Sequence, residues 1–281
     1  MPSVAFVNGK WSRIEEAKVS VEDRGFQFGD GVYELIRTYD GKIFHLNEHL
    51  SRLKTSAKEV EIDLSYSSER LKKIIDLGCR KSGYPNVKIY IQVTRGAAPR
   101  LHSFPKNVRP TVVMTFRKFE PLSSRLREEG VSVISTPDIR WERCHVKSLN
   151  LLPNVMAREE ALRSGAFEAI FIRNGRVTEG AGSNLFAVIG KKIVTPPAGP
   201  YILSGITREA TLEIGRKNGF EMIERDLKFG TLYSANELFL TGTTVEILPV
   251  VKLDGRPIGT GRPGERTRSL YRAFQEEIAS M

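Results

Sequence analysis

Apolar and polar positions along the chain follow two periods, which together predict a mixture of short strands and amphipathic helices. Strands are indicated where apolar and polar residues alternate, and helices where apolar residues recur three and four positions apart. The helical pattern covers residues 47–60, 69–81, 151–162, 207–218 and 266–279. The strand pattern covers residues 31–39, 42–45, 87–94, 111–116, 131–136, 169–177, 185–194, 237–241 and 245–253.

Turn dipeptides and helix faces add detail to this prediction. Asn8-Gly9, Asp40-Gly41 and Asn174-Gly175 each lie between strand-like runs, and such dipeptides are typical of tight hairpins. Apolar residues on one side of a helix are expected to face a core. The expected inward residues are Leu50, Leu53 and Ala57 in the first helix, Leu71, Ile74, Ile75 and Cys79 in the second, and Leu270, Phe274 and Ile278 in the last.

One change in composition indicates a domain boundary. Residues 117–124 are polar and contain Pro121, directly after a strand-like run. A chain of 281 residues suits one large or two ordinary domains. We therefore predict a small N-terminal α/β domain at residues 1–119, a linker at 120–124 and a larger C-terminal domain at 125–281, which carries Lys147.

The net charge of +10 and the pI near 9.6 raise the possibility of a nucleic-acid partner. Basic residues are interspersed with acidic ones, as in 125–129 and 262–266. The sequence contains no arginine-rich arm, no zinc-finger spacing and no aromatic RNA-binding motif. A basic surface, or pockets for an anionic cofactor and substrate, explains the charge better than nucleic-acid binding does.

Other compositional features bear on compartment and metals. No apolar run is long enough to suggest a membrane span, and residues 1–10 do not resemble a signal peptide. Two cysteines, Cys79 and Cys144, suggest a reducing compartment. The four histidines have no metal-ligand spacing. We expect a cytoplasmic protein without a metal site and without a membrane partner.

Lys147 and Glu179 are the residues with the most suggestive chemistry. A lone lysine is usually a solvated surface charge, but Lys147 is bracketed by strand-like and helix-like apolar runs. A free lysine has a pKa near 10.4, so a neighbouring cation such as Arg143 would make it a better base. Glu179 alone would be a turn residue. Together they supply an amine for a Schiff base and a carboxylate for a pyridinium nitrogen, as pyridoxal phosphate chemistry requires.

Seven segments, taken in order, resemble the fold-type IV pyridoxal-phosphate enzymes, and within them the bacterial D-amino acid aminotransferases. The resemblance covers nearly the whole chain, and the order of the segments makes it specific. It implies a two-domain fold of the α+β or α/β class, with pyridoxal 5'-phosphate between the domains. The segments are 22–34, 47–53, 93–105, 143–152, 177–184, 203–208 and 241–247.

The resemblance also implies roles at the cofactor. Lys147 would form the Schiff base and move the proton, and Glu179 would face the ring nitrogen. The first turn of a helix after Gly205 offers free N–H groups that favour an anion. By resemblance the other cofactor-binding residues are Arg52, Ile206, Thr207 and Thr243 at the phosphate and Leu203 against the ring.

Arg100 and His102 are expected to determine the substrate. Side chains two residues apart on an extended segment point to the same side, and an arginine can bind a carboxylate with two hydrogen bonds. By resemblance they form, with Tyr33, a trap for the substrate α-carboxylate, while Trp141 lines the pocket. The Arg and His reach the partner subunit's site in that family, so a homodimer is implied.

The chain departs from the family at one place near the cofactor. Ala181-Gly182 occupies positions where serines often follow the Glu-Gly pair. The missing hydroxyls would change the water structure near the ring, but they remove no required catalytic group.

The leading hypothesis is a transaminase that moves an amino group between D-amino acids such as D-alanine or D-glutamate and 2-oxo acids such as 2-oxoglutarate or pyruvate, in a ping-pong cycle. A branched-chain L-amino acid aminotransferase is the first alternative, and the Arg100–His102 pair disfavours it. Aminodeoxychorismate lyase and an (R)-amine transaminase remain open, although a carboxylate trap has no purpose for a simple amine. A basic nucleic-acid-binding protein or a scaffold without cofactor is the alternative from another class.

Overall fold

The computed structural model of the protein describes residues 3–281, so Met1 and Pro2 of the predicted N-terminal domain lie outside the described residues. The chain divides into two units by the packing within each. Unit 1 comprises the residues up to Glu120 together with Val146–Asn150. Unit 2 comprises Pro121–His145 and Leu151–Met281.

Unit 1 is built on a six-stranded antiparallel sheet in the order β2-β1-β6-β5-β3-β4. Three helices accompany it, and a short 3-10 turn follows β2 at Ile14–Glu16. The elements are β1 Val4–Val7, β2 Lys10–Arg13, α1 Arg24–Phe28, β3 Gly31–Tyr39, β4 Lys42–Ile43, α2 Leu46–Glu59, α3 Ser68–Ser82, β5 Val87–Thr94 and β6 Thr111–Lys118.

Alternation along β5 explains how this sheet covers its core. The four residues Val87, Ile89, Ile91 and Val93 are fully buried, whereas the residues between them are half-buried. Since successive side chains of a strand point to opposite faces, β5 has one fully covered face. The helices α2 and α3 supply the matching apolar residues, which include Leu50, Leu53, Ala57, Leu71 and Ile75.

Unit 2 is built on a nine-stranded mixed sheet in the order β12-β11-β10-β13-β14-β7-β8-β9, with β15 paired to β14. The pairs β11–β12, β14–β7 and β7–β8 are parallel. A 3-10 turn lies at Phe229–Ser234. The elements are α4 Ser124–Glu129, β7 Val131–Pro137, α5 Leu152–Arg163, β8 Glu168–Arg173, β9 Arg176–Gly180, β10 Asn184–Ile189, β11 Lys192–Thr195, α6 Ile206–Lys217, β12 Glu221–Glu224, β13 Glu237–Gly242, β14 Glu246–Leu253, β15 Arg256–Pro257 and α7 Glu265–Ala279.

The central strands of unit 2 are buried on both faces. Leu185, Phe186 and Ala187 are consecutive in β10, and each has no exposed surface. A run of adjacent buried residues is typical of strands covered on both sides. The ring of Phe186 stacks on that of Phe239 in β13, with centroids 4.9 Å apart. The helices α6 and α7 pack on β13 and β14, and α5 packs on β8.

The helix predicted at residues 151–162 is confirmed as α5, but its apolar pattern does not mark the buried face. Its larger apolar residues are exposed, and Ala157 and Ala161 are buried instead. Small side chains allow the helix backbone to approach β8 and β7 closely, so the contact is made by alanines. The exposed residues are Leu152, Val155, Met156 and Leu162.

The other predicted helices and strands are confirmed, with boundaries that differ by a few residues, except that the runs 169–177 and 185–194 each divide into two strands, β8 with β9 and β10 with β11. The sequence pattern missed α1, α4, β12, β15 and both 3-10 turns. These elements are too short to show a repeat. The five-residue helix α1 is set by its ends, because Asp23 caps the N–H of Gly25 and Gly29 adopts the left-handed conformation at φ 67°.

The unit boundary after Glu120 lies one residue from the predicted end of the N-terminal domain. The segment of Lys147 groups with unit 1, whereas we expected it in the C-terminal domain, and this corrects the expected assignment. The Lys147 carbonyl accepts a hydrogen bond from the Tyr33 N–H at 2.9 Å, and the Leu149 N–H donates to the Gly31 carbonyl at 3.0 Å. Val146 is buried in the core of unit 1. These bonds attach the segment to β3.

Two further observations apply to residues 3–281 only. No helix in this range has both the length and the apolar character needed to cross a membrane. In the same range, no three histidine, cysteine, aspartate or glutamate side chains lie close enough together to hold a metal ion.

A substitution of Gly78 tests how closely α3 packs on β6. A Cβ atom at Gly78 would overlap the ring of Phe116, which is fully buried and lies against Trp11. We expect Gly78→Ala to lower the free energy of unfolding by about 1–3 kcal/mol in urea titrations, although alanine is the better helix former. Lys73→Ala, at an exposed position of the same helix, should change it by less than about 0.5 kcal/mol. Equal stability of the two variants would contradict the close packing.

Candidate active site

Lys147 lies beside Tyr33 in unit 1, and both side chains are half-buried. The Lys147 Nζ is 4.2 Å from the centroid of the Tyr33 ring, a distance typical of a cation–π contact. The Lys147 N–H also donates to the Ser56 Oγ of α2 at 3.1 Å. The backbone of Lys147 is therefore attached to both β3 and α2, and the structure brings together two of the predicted site residues.

A buried carboxylate next to Tyr33 holds Arg52. The Arg52 Nε and Nη2 donate to the two oxygens of Glu34 at 2.7 and 2.9 Å. The His49 Nδ1 lies 2.8 Å from the Glu34 Oε2. Glu34 has no exposed surface, so these two partners replace the water that an isolated carboxylate would need.

The electrostatics of this cluster favour one ionisation state. Burial alone would raise the pKa of Glu34, but Arg52 and His49 outweigh it and lower that pKa to about 2. Burial lowers the pKa of His49, and its hydrogen bond to Glu34 offsets only part of this effect. At neutral pH the cluster therefore contains an ionised Glu34, a neutral His49 that donates from Nδ1, and the Arg52 cation.

Arg100 and His102 lie on an exposed loop of unit 1, and both contact the ring of Phe28. The Arg100 guanidinium carbon is 4.7 Å from the centroid of that ring, and the His102 ring centroid is 5.6 Å from it. The structure thus brings the two predicted carboxylate-binding residues to the same aromatic side chain.

Glu179 is the last residue but one of β9, and it is buried in unit 2. Its Oε1 accepts a hydrogen bond from the Arg140 Nη1 at 2.5 Å. Its Oε2 accepts from the Leu203 N–H at 3.0 Å and from the Asn184 Nδ2 at 3.1 Å. Two predicted residues, Glu179 and Leu203, therefore lie in direct contact.

Arg140 connects Glu179 to the surrounding loops. Its guanidinium donates to Asp138, to the Thr178 Oγ1 and to the Tyr201 carbonyl, at distances of 2.9–3.3 Å. Burial would lower the pKa of Arg140, but Asp138 and Glu179 outweigh it and raise that pKa further. Burial would likewise raise the pKa of Asp138, but Arg140 lowers it overall. Arg140 is a permanent buried cation with a carboxylate on each side.

The N-terminus of α6 carries the predicted phosphate-binding residues Ile206 and Thr207. Gly205 occupies the N-cap position, where it has no side chain to make a capping hydrogen bond. A Cβ atom at Gly205 would overlap the Asn184 side-chain oxygen, so a larger residue would displace Asn184. Asn184 also donates to the Leu203 carbonyl at 2.9 Å. Asn184 thus holds both Glu179 and the segment that leads into α6.

Three other predicted residues occupy separate positions. Thr243 is half-buried in the turn between β13 and β14. Trp141 is 37% exposed, and its carbonyl accepts from the Cys144 Sγ at 3.1 Å. Arg143, the expected cation near Lys147, is exposed and belongs to unit 2.

Ala181-Gly182 lies on a turn that a buried glutamate holds. The Glu168 Oε2 accepts from the Gly182 N–H at 3.3 Å and from the Ser183 Oγ at 3.2 Å. Burial raises the pKa of Glu168. Ser183 is the one hydroxyl kept in this turn, and it bonds to Glu168.

Glu34, His49, Arg140, Asn184 and Phe28 were missed by the sequence analysis. Only Glu34 left a signal, because it falls between the buried residues Val32 and Ile36 on the inward face of β3. A carboxylate at such a position requires a cationic partner, but the sequence does not identify which one.

Comparisons with known proteins identify the family of the chain. A model of the amino-transferase class IV family matches residues 31–253. The chain belongs to the class IV amino-transferase family. This confirms the resemblance and the mixed α/β fold expected from it.

Two kinds of class IV aminotransferase are similar to the chain. The D-alanine aminotransferase of Bacillus licheniformis is 44% identical over 278 residues, which cover 97% of this chain and 96% of the relative. The crystal structure of the Escherichia coli branched-chain amino acid aminotransferase has a TM-score of 0.92 at 30% identity, and the match covers 98% of this chain and 94% of that chain. A second branched-chain amino acid aminotransferase, solved with pyridoxamine 5'-phosphate, has a TM-score of 0.91 at 30% identity, over 99% of this chain and 94% of that one.

The Glu34 cluster generates a prediction about stability and pH. Glu34→Gln would leave Arg52 without its buried counter-charge, so we expect a loss of about 3 kcal/mol in the free energy of unfolding at pH 7. The folded pKa of about 2 lies below the usual value. The contribution of Glu34 is therefore complete above about pH 5 and declines as the pH falls toward 2, and the difference between parent and variant should shrink in that window.

Glu48→Gln, at an exposed carboxylate of α2, is the control and should change stability little at any pH. Urea titrations between pH 3 and 7 measure both effects. A pH-independent loss in Glu34→Gln would contradict the electrostatic origin.

Proposed function

We propose that this class IV aminotransferase is a pyridoxal 5'-phosphate-dependent transaminase acting on D-amino acids and 2-oxo acids. The main observation in support is that Arg100 and His102 lie on one loop and that both side chains contact the ring of Phe28. An arginine with a neighbouring hydrogen-bond donor is suited to a carboxylate. The 44% identity to a D-alanine aminotransferase over nearly the whole chain supports the same choice.

The donor groups of the chain fit the cofactor. The first turn of α6 has N–H groups without intrahelical acceptors, and its N-cap glycine has no side chain to cap them, which suits a phosphate. Glu179 is a buried carboxylate fixed by three donors, which suits a protonated ring nitrogen. Lys147 offers an amine beside an aromatic ring. These three groups match the anion, the ring nitrogen and the aldehyde of pyridoxal phosphate.

The bound cofactor supplies an aldehyde for amino-group exchange and a ring that accepts electrons from the substrate α-carbon. Lys147 would provide the covalent attachment and then carry the proton between the α-carbon and the cofactor. Its backbone bonds to Tyr33 and Ser56 keep the main chain fixed while the side chain moves. Glu179 would keep the ring nitrogen protonated, and the hydrogen bond from Arg140 holds Glu179 in place.

The phosphate would be held from several elements. The N–H groups of Ile206 and Thr207 and the turn residue Thr243 would donate to it. Arg52 would add a positive charge whose orientation is set by the two hydrogen bonds to Glu34. Leu203, whose N–H donates to Glu179, would lie against the ring.

The substrate carboxylate would bind to Arg100, His102 and Tyr33, with Trp141 lining the side-chain pocket. We propose a homodimer in which Arg100 and His102 serve the partner subunit's site. The exposure of Leu101 and Phe104, at 64% and 53%, supports a contact at this loop. We also propose a cytoplasmic location, which two free thiols, Cys79 and Cys144, support.

A branched-chain L-amino acid aminotransferase is the second candidate. The TM-score of 0.92 to such an enzyme favours it. Both activities use the same cofactor groups, so the distinction depends on where the substrate carboxylate binds. The Arg100–His102 pair supports the D-amino acid activity.

The decisive test is a half-reaction followed by absorbance. The purified yellow protein is mixed with D-alanine or with L-leucine, in the absence of any 2-oxo acid. We expect the visible band of the cofactor to disappear with D-alanine only, because the D-enantiomer presents its α-hydrogen to Lys147 when its carboxylate is on Arg100. Loss with L-leucine only would assign the protein to the branched-chain class.

Lys147→Ala is the control for this experiment and should respond to neither amino acid. Its melting temperature shows whether the variant is folded. A normal response of Lys147→Ala to D-alanine would exclude the assigned role of this lysine.

Glu179→Gln tests the ring-nitrogen partner. An amide does not hold a proton on the ring nitrogen, so we expect kcat for D-alanine to fall by about 100-fold or more. The cofactor content, measured after denaturation, should stay near one per chain. Glu159→Gln, an exposed carboxylate paired with Arg163, should leave kcat unchanged. Unchanged kcat in Glu179→Gln would make this residue a turn-stabilising glutamate.

A further inference from the structure

The loop at residues 95–104 is organised mainly by the segment before β3, and Arg95 also donates to the Val60 and Glu61 carbonyls at 2.6 and 2.8 Å. The Arg24 N–H donates to the Gly96 carbonyl at 2.9 Å, and the Ala98 N–H donates to the Glu22 carbonyl at 3.1 Å. The apolar residues Leu101 and Phe104 are largely exposed, so the loop has little hydrophobic core of its own. Its conformation therefore depends on specific polar and ring contacts.

Asp30 is the centre of these polar contacts. The Nε atoms of Arg24 and Arg95 both donate to the same Asp30 Oδ2, at 2.7 and 2.9 Å. The Arg24 Nη1 also donates to the Leu101 carbonyl at 2.5 Å. Leu101 lies between Arg100 and His102, so a buried arginine fixes the backbone between the two predicted carboxylate-binding residues.

Phe28 fixes the side chains that this backbone presents. Its ring is the common neighbour of the Arg100 guanidinium and the His102 ring. The Arg24 guanidinium carbon is also 4.8 Å from the centroid of that ring. Phe28 is itself held in place as the last residue of α1, directly before Gly29 in the left-handed conformation.

We propose that Phe28 is a positioning residue for substrate recognition, which orients Arg100 and His102 toward the substrate carboxylate. This inference rests on the proposed function of those two residues. A long arginine on an exposed loop loses considerable side-chain entropy when it binds a ligand, and a ring that already holds it reduces that loss. All three residues belong to one chain, so the effect is the same whichever subunit's site they serve.

The test compares KM with kcat in Phe28→Leu, which removes the ring but keeps an apolar side chain. A cation–π contact is worth roughly 0.5–2 kcal/mol, so KM for D-alanine and for 2-oxoglutarate should rise by about 2- to 30-fold. The rate kcat should change by less than about two-fold, because no group that acts on the cofactor is altered. Phe28→Tyr keeps the ring, so its KM should equal that of the parent protein. This comparison remains informative if Phe28→Leu is poorly folded.

Two comparisons separate this role from a general structural one. Tyr66→Leu removes a similar pair in unit 1, in which the Arg70 guanidinium carbon is 4.5 Å from the ring centroid, and it should leave KM unchanged. Arg100→Ala should raise KM by about 10- to 100-fold, and the double variant Phe28→Leu/Arg100→Ala should raise KM by less than the product of the two single effects, because only the orientation of His102 is then left to lose.

The outcomes distinguish the inference from the proposed function. If Arg100→Ala raises KM and Phe28→Leu does not, the role of Phe28 is refuted and the carboxylate trap stands. Effects of the two substitutions that multiply would also refute it, since Phe28 would then act independently of Arg100. If Arg100→Ala leaves KM unchanged, the carboxylate trap and the role of Phe28 are both excluded.

Discussion

Buried carboxylates that lie against arginine side chains are the interaction on which both parts of the candidate site depend. Removing a carboxylate from water costs several kcal/mol of free energy. A bidentate or shared arginine offsets that cost only when the hydrogen-bond geometry is good. A pair of this kind therefore fixes its own position and that of its neighbours. Glu34 thereby fixes the position of its neighbour Tyr33 in β3, and Glu179 fixes the backbone of Leu203, whose N–H donates to it. The buried pairs are Glu34 with Arg52 and Glu179 with Arg140, and the half-buried Asp30 is shared by Arg24 and Arg95 in the same way.

The fold was predictable where a repeat is long enough to see. The strand β3 matches its predicted limits, since period-two burial and the Asp40-Gly41 turn both define it. The helix α5 was predicted correctly, but its buried face was not, because apolar periodicity indicates a helix without indicating that alanines make the contact. The helix α1 has five residues and no repeat, and its two ends determine it. Local pattern thus predicts elements well, and it fails where caps or small residues decide.

The candidate site divides in the same way. Lys147, Glu179 and the α6 N-terminus were predicted as site residues because they belong to contiguous motifs. Their supports were not found, because they pair over long stretches of sequence. Arg52 is 18 residues from Glu34, and Arg140 is 39 residues from Glu179. No local pattern links such residues, and only the folded chain shows that an ordinary strand glutamate and a loop arginine hold groups of the site in place.

The grouping of Val146–Asn150 with unit 1 has a consequence for how the chain folds as it is synthesised. Unit 1 is discontinuous, because its core includes Val146 while residues 121–145 belong to unit 2. Domains formed from one continuous stretch can fold as soon as that stretch leaves the ribosome. Here the edge of β3 that bonds to Lys147 and Leu149 stays unpaired until residue 150 has emerged. The segment with Lys147 is thus the last part of unit 1 to be added, and it completes the first core only after the second unit has begun.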